Sequence, residues 1–388
     1  MKIMMKELGE IITGNTPSKK IEEFWNSEDI CFVKPDLIPE AGVSVIKYSN
    51  EYISENARKK ARVVKKNTIF VTCIGSIGKI GIAAEGEFSF NQQINAIVPN
   101  EKVNPKYLAY NLLYNKPRLI AIANAPVVPI INKAQFEEFN ISIETDLEKQ
   151  SEVVEVLDQL TLIIEQRHKE LSALENLIKA RFVEVFGSLH DNEKGFDIVT
   201  IEELCTLIKD GTHQTPTYTE DKQKGFKFLS SKDVMTQKIS WDDIKYIPAE
   251  LHEKLYATIQ PKRNDILMSK NGVNYGVAAV NDTDEVFDIY VSLALLRPRT
   301  DMVNPVYLRC AINNPDTKRQ FDSSIKGIGV PNLHLGEIKK TKIFLPPMSQ
   351  QNEFIAFVAQ IDKSKVAVQT ALDKAQLLFD SLMQEYFG

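Results

Sequence analysis

Two stretches of this chain carry a helical rhythm that the rest lacks. Val153, Leu157, Leu160, Ile164, Arg167, Leu171, Leu174, Ile178, Arg181 and Val185 follow an alternating spacing of four and three. Near the C-terminus Phe354, Val358, Ile361, Lys365, Val368, Leu372, Ala375, Phe379, Leu382 and Tyr386 repeat it. Such a spacing, held over more than four heptads, is a coiled-coil seam. Residues 147–187 and 348–387 contain no proline and no internal glycine. Each therefore predicts one uninterrupted helix, about 60 Å long at roughly 1.5 Å per residue. A single apolar stripe of that length needs a partner of equal length, and the chain supplies one. Ordinary packing of each helix on its own globular part is the alternative.

The segments 1–146 and 188–347 read differently. Short β-branched and aromatic runs (Thr68 to Ile74, Ile266 to Ser269, Ser292 to Leu296, Lys342 to Leu345) alternate with Gly, Pro and Asn, as in α/β globular domains. The two segments also correspond. Glu152 to Gly187 aligns without gaps on Glu353 to Gly388, 201 residues later, and both copies end in Phe-Gly. Upstream, Gly14 to Ser18 corresponds to Gly211 to Pro216, and Asn67 to Phe70 to Asn264 to Leu267. The loop Gly75 to Gly81 corresponds to Gly272 to Gly276, and Val103 to Leu108 to Val303 to Leu308. Collinear matches of this kind indicate duplication. The expected fold is α+β, a tandem duplication of an α/β domain plus a long helix. The two helices would form an antiparallel coiled coil with pseudo-two-fold symmetry. The boundaries follow as domain 1–146, helix 147–187, domain 188–347 and helix 348–388.

Composition narrows the function by exclusion. With 388 residues, 43% hydrophobic and 26% charged, the chain can bury two or three cores. The 47 Lys+Arg against 52 Asp+Glu give no global attraction to nucleic acid. By segment, the helices carry the acidic excess and the globular parts are near neutral. Cys31, Cys73, Cys205 and Cys310 lie far apart, as reduced thiols of a cytoplasmic protein would. No zinc pattern, signal segment or membrane span is legible, and the reading is a soluble, cytoplasmic chain. Gly75 to Gly81 lacks the first glycine and the Ser/Thr of a phosphate loop. Asn104-Pro105 and Asn304-Pro305 read as helix N-caps followed by a first-turn proline. Asp322, Glu337 and Lys339 loosely fit a metal-dependent nuclease, but the first repeat has Gln135 and Glu137 where the second has Glu337 and Lys339. No metal site and no catalytic residues are expected, so a binding function is the default.

Laid out as two halves, the chain resembles the specificity subunit of type I restriction-modification systems over its whole length. The first half carries Leu8-Gly9-Glu10, Thr16-Pro17-Ser18, the Asn67 to Val71 strand with its glycine loop, and Asp146 to Gln150 opening the helix. The second carries Asp210 to Pro216, Trp241 to Ile247, Asp265 to Lys270, Leu293 to Pro298 and Leu345 to Gln351. The first half departs where Glu144-Thr145-Asp146 replaces a Pro-Pro turn and where Ala125 to Ile131 is unusually apolar. The resemblance implies two target recognition domains that read a bipartite, gapped double-stranded DNA site, with the coiled coil setting the spacer. It implies no catalysis by this chain and no cofactor of its own. S-adenosylmethionine, ATP and Mg would belong to two methyltransferase subunits and to the restriction subunits that these recruit. A coiled-coil protein scaffold without DNA readout is the competing reading.

On that resemblance, basic runs would touch phosphates, and polar loop side chains would read bases. The candidates in the first domain are Arg58, Lys59, Lys60, Arg62, Lys65, Lys66, Thr72, Ser76, Lys79, Asn91, Gln92 and Gln93. In the second they are Lys270, Asn271, Asn274, Tyr275, Tyr290, Ser323, Ser324, Lys326 and Asn332. Thr16-Pro17 and Thr215-Pro216 are expected to shape turns. On the outer helix faces Ile163, Leu177, Phe182, Ile355, Phe357 and Leu378 would either receive the methyltransferase subunits or pack on the recognition domains.

Overall fold

The computed structural model describes residues 1–123, 128–325 and 331–388. The chain forms two compact units of interleaved sequence, Met1–Lys169 with Gln369–Gly388, and Glu170–Val368. Both long helices are continuous, Leu147–Phe186 and Met348–Phe387. Each contributes one half to each unit.

In the first unit a five-stranded sheet runs in the order Gly9–Thr13, Ile94–Pro99, Ile69–Thr72, Ile80–Ala83, Val43–Ile46. A four-stranded sheet joins Tyr52–Ile53, Ile30–Val33, Glu87–Phe90 and Val63–Lys65. The central runs Ile69–Thr72 and Ile80–Ala83 are buried at every position, which explains why they do not alternate between apolar and polar. The N-terminal strand Lys2–Met4 pairs antiparallel with Asn140–Ser142 just before the long helix. Asn104 caps the helix Pro105–Tyr114, its side chain accepting from the N–H groups of Lys106 and Tyr107.

The second unit repeats this plan in shorter form. Its four-stranded sheet runs Cys205–Asp210, Leu293–Pro298, Ile266–Ser269, Ala278–Val280, and a three-stranded one joins Lys245–Ile247, Phe226–Leu229 and Phe287–Ile289. Asp197–Thr200 pairs antiparallel with Lys342–Leu345, again just before a long helix. Asn304 caps Pro305–Ile312 as Asn104 caps its counterpart.

The helix pairing is read within each unit. In the first, Val154 and Leu157 share a core with Phe379, Leu382, Met383 and Phe387. In the second, Ile178, Phe182 and Phe186 share one with Phe354 and Val358. The start of one helix meets the end of the other in both places, so the pair is antiparallel. All ten seam positions of each helix, Leu157, Leu160, Ile164, Leu171, Leu174, Ile178, Val358, Ile361, Val368, Leu372, Phe379 and Leu382 among them, are buried or half-buried. The second core is aromatic where the helices meet the domain. Phe186 lies 5.1 Å from Tyr307 and 5.4 Å from Phe354, both edge-on, and each such contact contributes about 0.5–1.5 kcal/mol beyond burial. Gly187, at φ +80°, ends the first helix with its N–H on the Val183 carbonyl.

Candidate nucleic-acid interface

The same loop frame is built twice. In the first unit the strand Ile69–Thr72 ends on Thr72, whose buried hydroxyl donates to the Ser76 carbonyl and accepts from the Lys79 N–H at 3.0 Å. In the second, Ser269 donates to the Asn274 carbonyl at 2.8 Å and accepts from the Val277 N–H at 3.0 Å. The returning chain then clamps each loop. Gly75 N–H donates to Pro129 O at 3.0 Å and Ile131 N–H to Cys73 O at 2.8 Å. Gly272 N–H donates to Pro331 O at 3.1 Å and Leu333 N–H to Lys270 O at 2.8 Å. Gly75 and Gly272 sit at φ +76° and +86°, where a side chain would be strained. Beside each frame, a Cβ on Gly14 would lie 2.1 Å from Asn91 O, and one on Gly211 2.2 Å from Ile289 O. Those two glycines let the opening segment cross the sheet end.

The frame sorts the first-domain candidates by what already occupies them. Arg58 is bound by Glu55 (2.9 Å) and Glu87 (3.3 Å), and these hydrogen bonds push its guanidinium above the usual value, Glu55 contributing most. Lys66 pairs with Glu85, and Lys65 lies 3.9 Å from Glu87. Lys59, Lys60 and Arg62 are exposed and have no ion pair among the described residues. Thr72 is buried and builds the loop, so it is not a surface group. Lys79 is turned inward, its ammonium 2.8 Å from Glu40 and 3.3 Å from the Pro35 carbonyl. Buried Asn91 donates to Gln93 Oε1 at 2.9 Å. Ser76 is exposed at the loop tip, and exposed Gln92 accepts from the Thr16 hydroxyl at 2.9 Å, tying the Thr-Pro turn to this surface.

In the second domain Lys270 is a buried ion-pair partner of Asp210 and not a surface cation. Asn271 pairs with Asn332 through an isolated bridge, and Asn274 is exposed. Tyr275 is buried, its hydroxyl donating to Asp322 at 2.6 Å with the Lys318 ammonium 3.9 Å over its ring. Lys318 and the tyrosine together hold the Asp322 carboxyl below the usual range. Tyr290 is half-buried with its ring 6.1 Å from Phe228. Ser323 and Ser324 belong to the helix Pro315–Ser324, where their hydroxyls donate to the Arg319 and Phe321 carbonyls, so they are not loop residues. Lys326 lies outside the described residues, as do Ala125, Pro126 and Val127 of the apolar stretch.

On the helices, Ile163, Leu177 and Leu378 are exposed, but Phe182 and Ile355 pack into the second core and are not outer-face residues. Phe357 is half-buried beneath Arg181. The nuclease-like trio is dispersed among other partners, Asp322 to Tyr275 and Lys318, Glu337 to Lys340 and Lys339 to Glu202. Among the described residues no group of three or more His, Cys, Asp or Glu is placed to hold a metal ion. None of the helices is long and apolar enough to cross a membrane, again among the described residues.

Sequence reasoning missed the Asp210–Lys270 pair, because two charges about sixty residues apart show no spacing signal. It also missed that Gln150 and Gln351, inside matched motifs, are wholly buried locks between helix and domain.

The model of the type I restriction modification DNA specificity domain matches residues 1–176 and 193–376. Over 401 residues, the MjaIX specificity subunit of a type I restriction enzyme from Methanocaldococcus jannaschii is 24% identical, with 98% of this chain and 90% of that one covered. The MjaVIII specificity subunit of the same organism is 21% identical, covering 78% and 74%. Among solved structures, the S subunit of a type I restriction-modification system from M. genitalium shares the fold. Its TM-score is 0.56 at 15% identity, covering all of this chain and 96% of the other. A chain solved in a study of complex assembly in the type I system gives 0.55 at 15%, covering 100% and 97%.

Proposed function

This chain belongs to the type I restriction-modification DNA specificity family, and from that premise we propose how it reads a bipartite DNA site. Specificity subunits of these systems assemble with other subunits in a complex. Here the recognition domains are taken as 1–146 and 188–347, each reading one half-site, with helices 147–187 and 348–388 fixing the gap between them. The exposed cations Lys59, Lys60 and Arg62 would position the first domain on phosphates. Ser76 and Gln92 in that domain, with Asn274 and Asn332 in the other, would be the exposed groups suited to base edges, and half-buried Asn271 would stand beside them. Arg58, Lys65, Lys66, Thr72, Lys79, Asn91, Gln93, Lys270, Tyr275, Tyr290, Ser323 and Ser324 would shape and stiffen those loops. The chain would act in the cytoplasm without chemistry of its own. Two methyltransferase subunits, and restriction subunits through them, would bring S-adenosylmethionine, ATP and Mg.

One observation carries this reading. The Thr72 and Ser269 loop frames are the same in backbone bonding, yet their exposed tips carry different side chains. A constant frame with variable tips suits two unrelated half-sites. Methylome sequencing of a host carrying this chain and its methyltransferase tests it. One gapped adenine-methylated motif, lost on deletion of the gene, is expected, and a methylome unchanged by deletion would overturn it. Duplex titration at two salt concentrations separates the protein-scaffold alternative, which gives no salt-dependent binding by the assembled complex.

A further inference from the structure

The second unit contains a small, partly open pocket where the two long helices meet the domain. Its walls come from Ile178 and Phe182 of the first long helix, the Thr236–Lys238 turn, Arg309 to Asn314, and Asp362 and Lys365 of the second long helix. Its volume is about 20 Å³, room for a single water-sized or halide-sized occupant.

What faces this space is a cation short of acceptors. Arg309 is 8% exposed, and among the described residues its guanidinium hydrogen-bonds the Cys310 sulfur at 3.3 Å and the Gln237 carbonyl at 3.5 Å. Among the described residues Arg309 Nε has no hydrogen-bond partner, and neither does the buried Asn314 Nδ2. Both are donors, so the missing group is an acceptor. The nearby carboxylates are already engaged, Glu175 with Lys365 at 3.1 Å and Asp362 with Lys238 at 3.9 Å. Lys179, also on the wall, has no ion pair among the described residues. The lining therefore carries two positive charges in excess of its carboxylates. Glu175 and Asp362 attract the guanidinium without a hydrogen bond to it, and a buried donor left without an acceptor is costly.

The repeat shows how the charge arises. Ala109 and Tyr110 of the first unit stand where Arg309 and Cys310 stand in the second. Tyr110 packs on the helix pair there, its ring 6.2 Å from Phe379 and its hydroxyl donating to Asp158 at 2.8 Å, and the wider pocket at the equivalent helix positions is lined by Thr161, Ile164, Gln376 and Asp380 with no arginine. The second unit differs in having a cysteine for the tyrosine and an arginine for the alanine, and the arginine charges its pocket.

We propose that this cavity binds a halide-sized monovalent anion, held by Arg309 and Asn314, which ties the second recognition domain to the two long helices. The test is thermal unfolding of the full chain in potassium chloride against potassium gluconate at constant ionic strength. A saturable rise in midpoint with chloride is expected, bromide substituting and the larger sulfate not. The double variant R309A/C310Y, which restores the first unit's pair, should fold and lose the response. Crystals soaked in bromide should show an anomalous peak within hydrogen-bond reach of Arg309 Nε and Asn314 Nδ2. No chloride-specific rise, an equal rise in the double variant, or an ordered water in place of the bromide peak would each overturn the proposal. Asp362→Asn guards against an internal substitute. If the Asp362 carboxylate serves Arg309 instead, this variant destabilises the chain and creates a chloride dependence absent before, which also overturns it.

Discussion

Gln150 holds Asn104 across the joint between helix and domain, its side-chain oxygen accepting the Asn104 backbone N–H at 2.7 Å. Its amide donates to the Glu144 carbonyl at 2.7 Å. Gln351 does the same for Asn304 at 2.9 Å and the Pro346 carbonyl at 2.9 Å. Both side chains are wholly buried. Replacing Gln150 by Leu keeps the volume but leaves a buried donor and acceptor without partners, at about 1–3 kcal/mol for each. Urea unfolding of Gln150→Leu and Gln351→Leu is expected to give midpoints well below the parent with unchanged slopes. A loss under about 0.5 kcal/mol, the scale of a neutral surface change, would show that the joint is held elsewhere.

Buried Lys270 pairs with half-buried Asp210, where the first unit has Cys73 and Thr13 in the same frame. Removing the lysine leaves the half-buried Asp210 carboxylate short of a partner, so Lys270→Met should destabilise by about 1–3 kcal/mol. The double variant D210T/K270C copies the uncharged pair and should recover most of that loss. In DNA titrations of the assembled complex, the double variant should keep the parental salt dependence. A slope reduced by about 0.9 would mean that Lys270 meets a phosphate after all.

The helices, the duplication and the Asn-Pro caps are legible in the sequence because each is a local or periodic signal. A 4,3 stripe or an Asn before a Pro needs no knowledge of distant partners. The role of single side chains is not legible. Thr72 and Lys79 look like loop tips in the sequence, yet one hydroxyl closes its own loop and one ammonium reaches back to Glu40. Ser323 and Ser324 read as loop residues because serine and glycine cluster there, while the capped helix from Pro315 runs through them. Phe182 reads as outer-facing when the seam alone is counted, whereas the helix end is buried on a second side by Tyr307 and Phe354.

The cysteines should behave as core residues. Burial pushes the thiol of Cys31 up to about 11 and those of Cys73 and Cys205 up to about 12, against an ordinary value of about 8.5. A raised folded value favours the protonated form, so its contribution to stability is complete below about pH 8.5 and is lost as pH climbs toward the folded values. These three thiols should resist a disulfide-exchange reagent at pH 8 until denaturant is added. Stability should fall between roughly pH 9 and 11, less steeply in C73A/C205A. Rapid labelling of Cys73 in the native chain would contradict the assignment.

Lys59, Lys60 and Arg62 differ from their neighbours in having no carboxylate to leave. Changing all three to Gln should weaken DNA binding by the assembled complex to a similar degree for matched and mismatched sequences. For every phosphate no longer neutralised, the salt slope should fall by about 0.9. Arg58→Gln should instead release Glu55 and Glu87 with little change in slope. Selective loss of one half-site in the triple variant would assign these residues to base reading.

The two long helices make the final expectation geometric. Removing residues 166–172 and 366–372 takes one heptad from each, preserves the 4,3 phase of both seams, and shortens the pair by about 10 Å. That is about three base pairs at roughly 3.4 Å each. The seam phase keeps each domain facing as before around the coil, but three base pairs turn one half-site by about 100° relative to the other. The shortened chain should therefore select the same two half-sites with a spacer about three base pairs smaller, and hold them more weakly. Methylome sequencing reads the spacer directly. Retention of the parental spacer with full methylation would show that the helices do not set it.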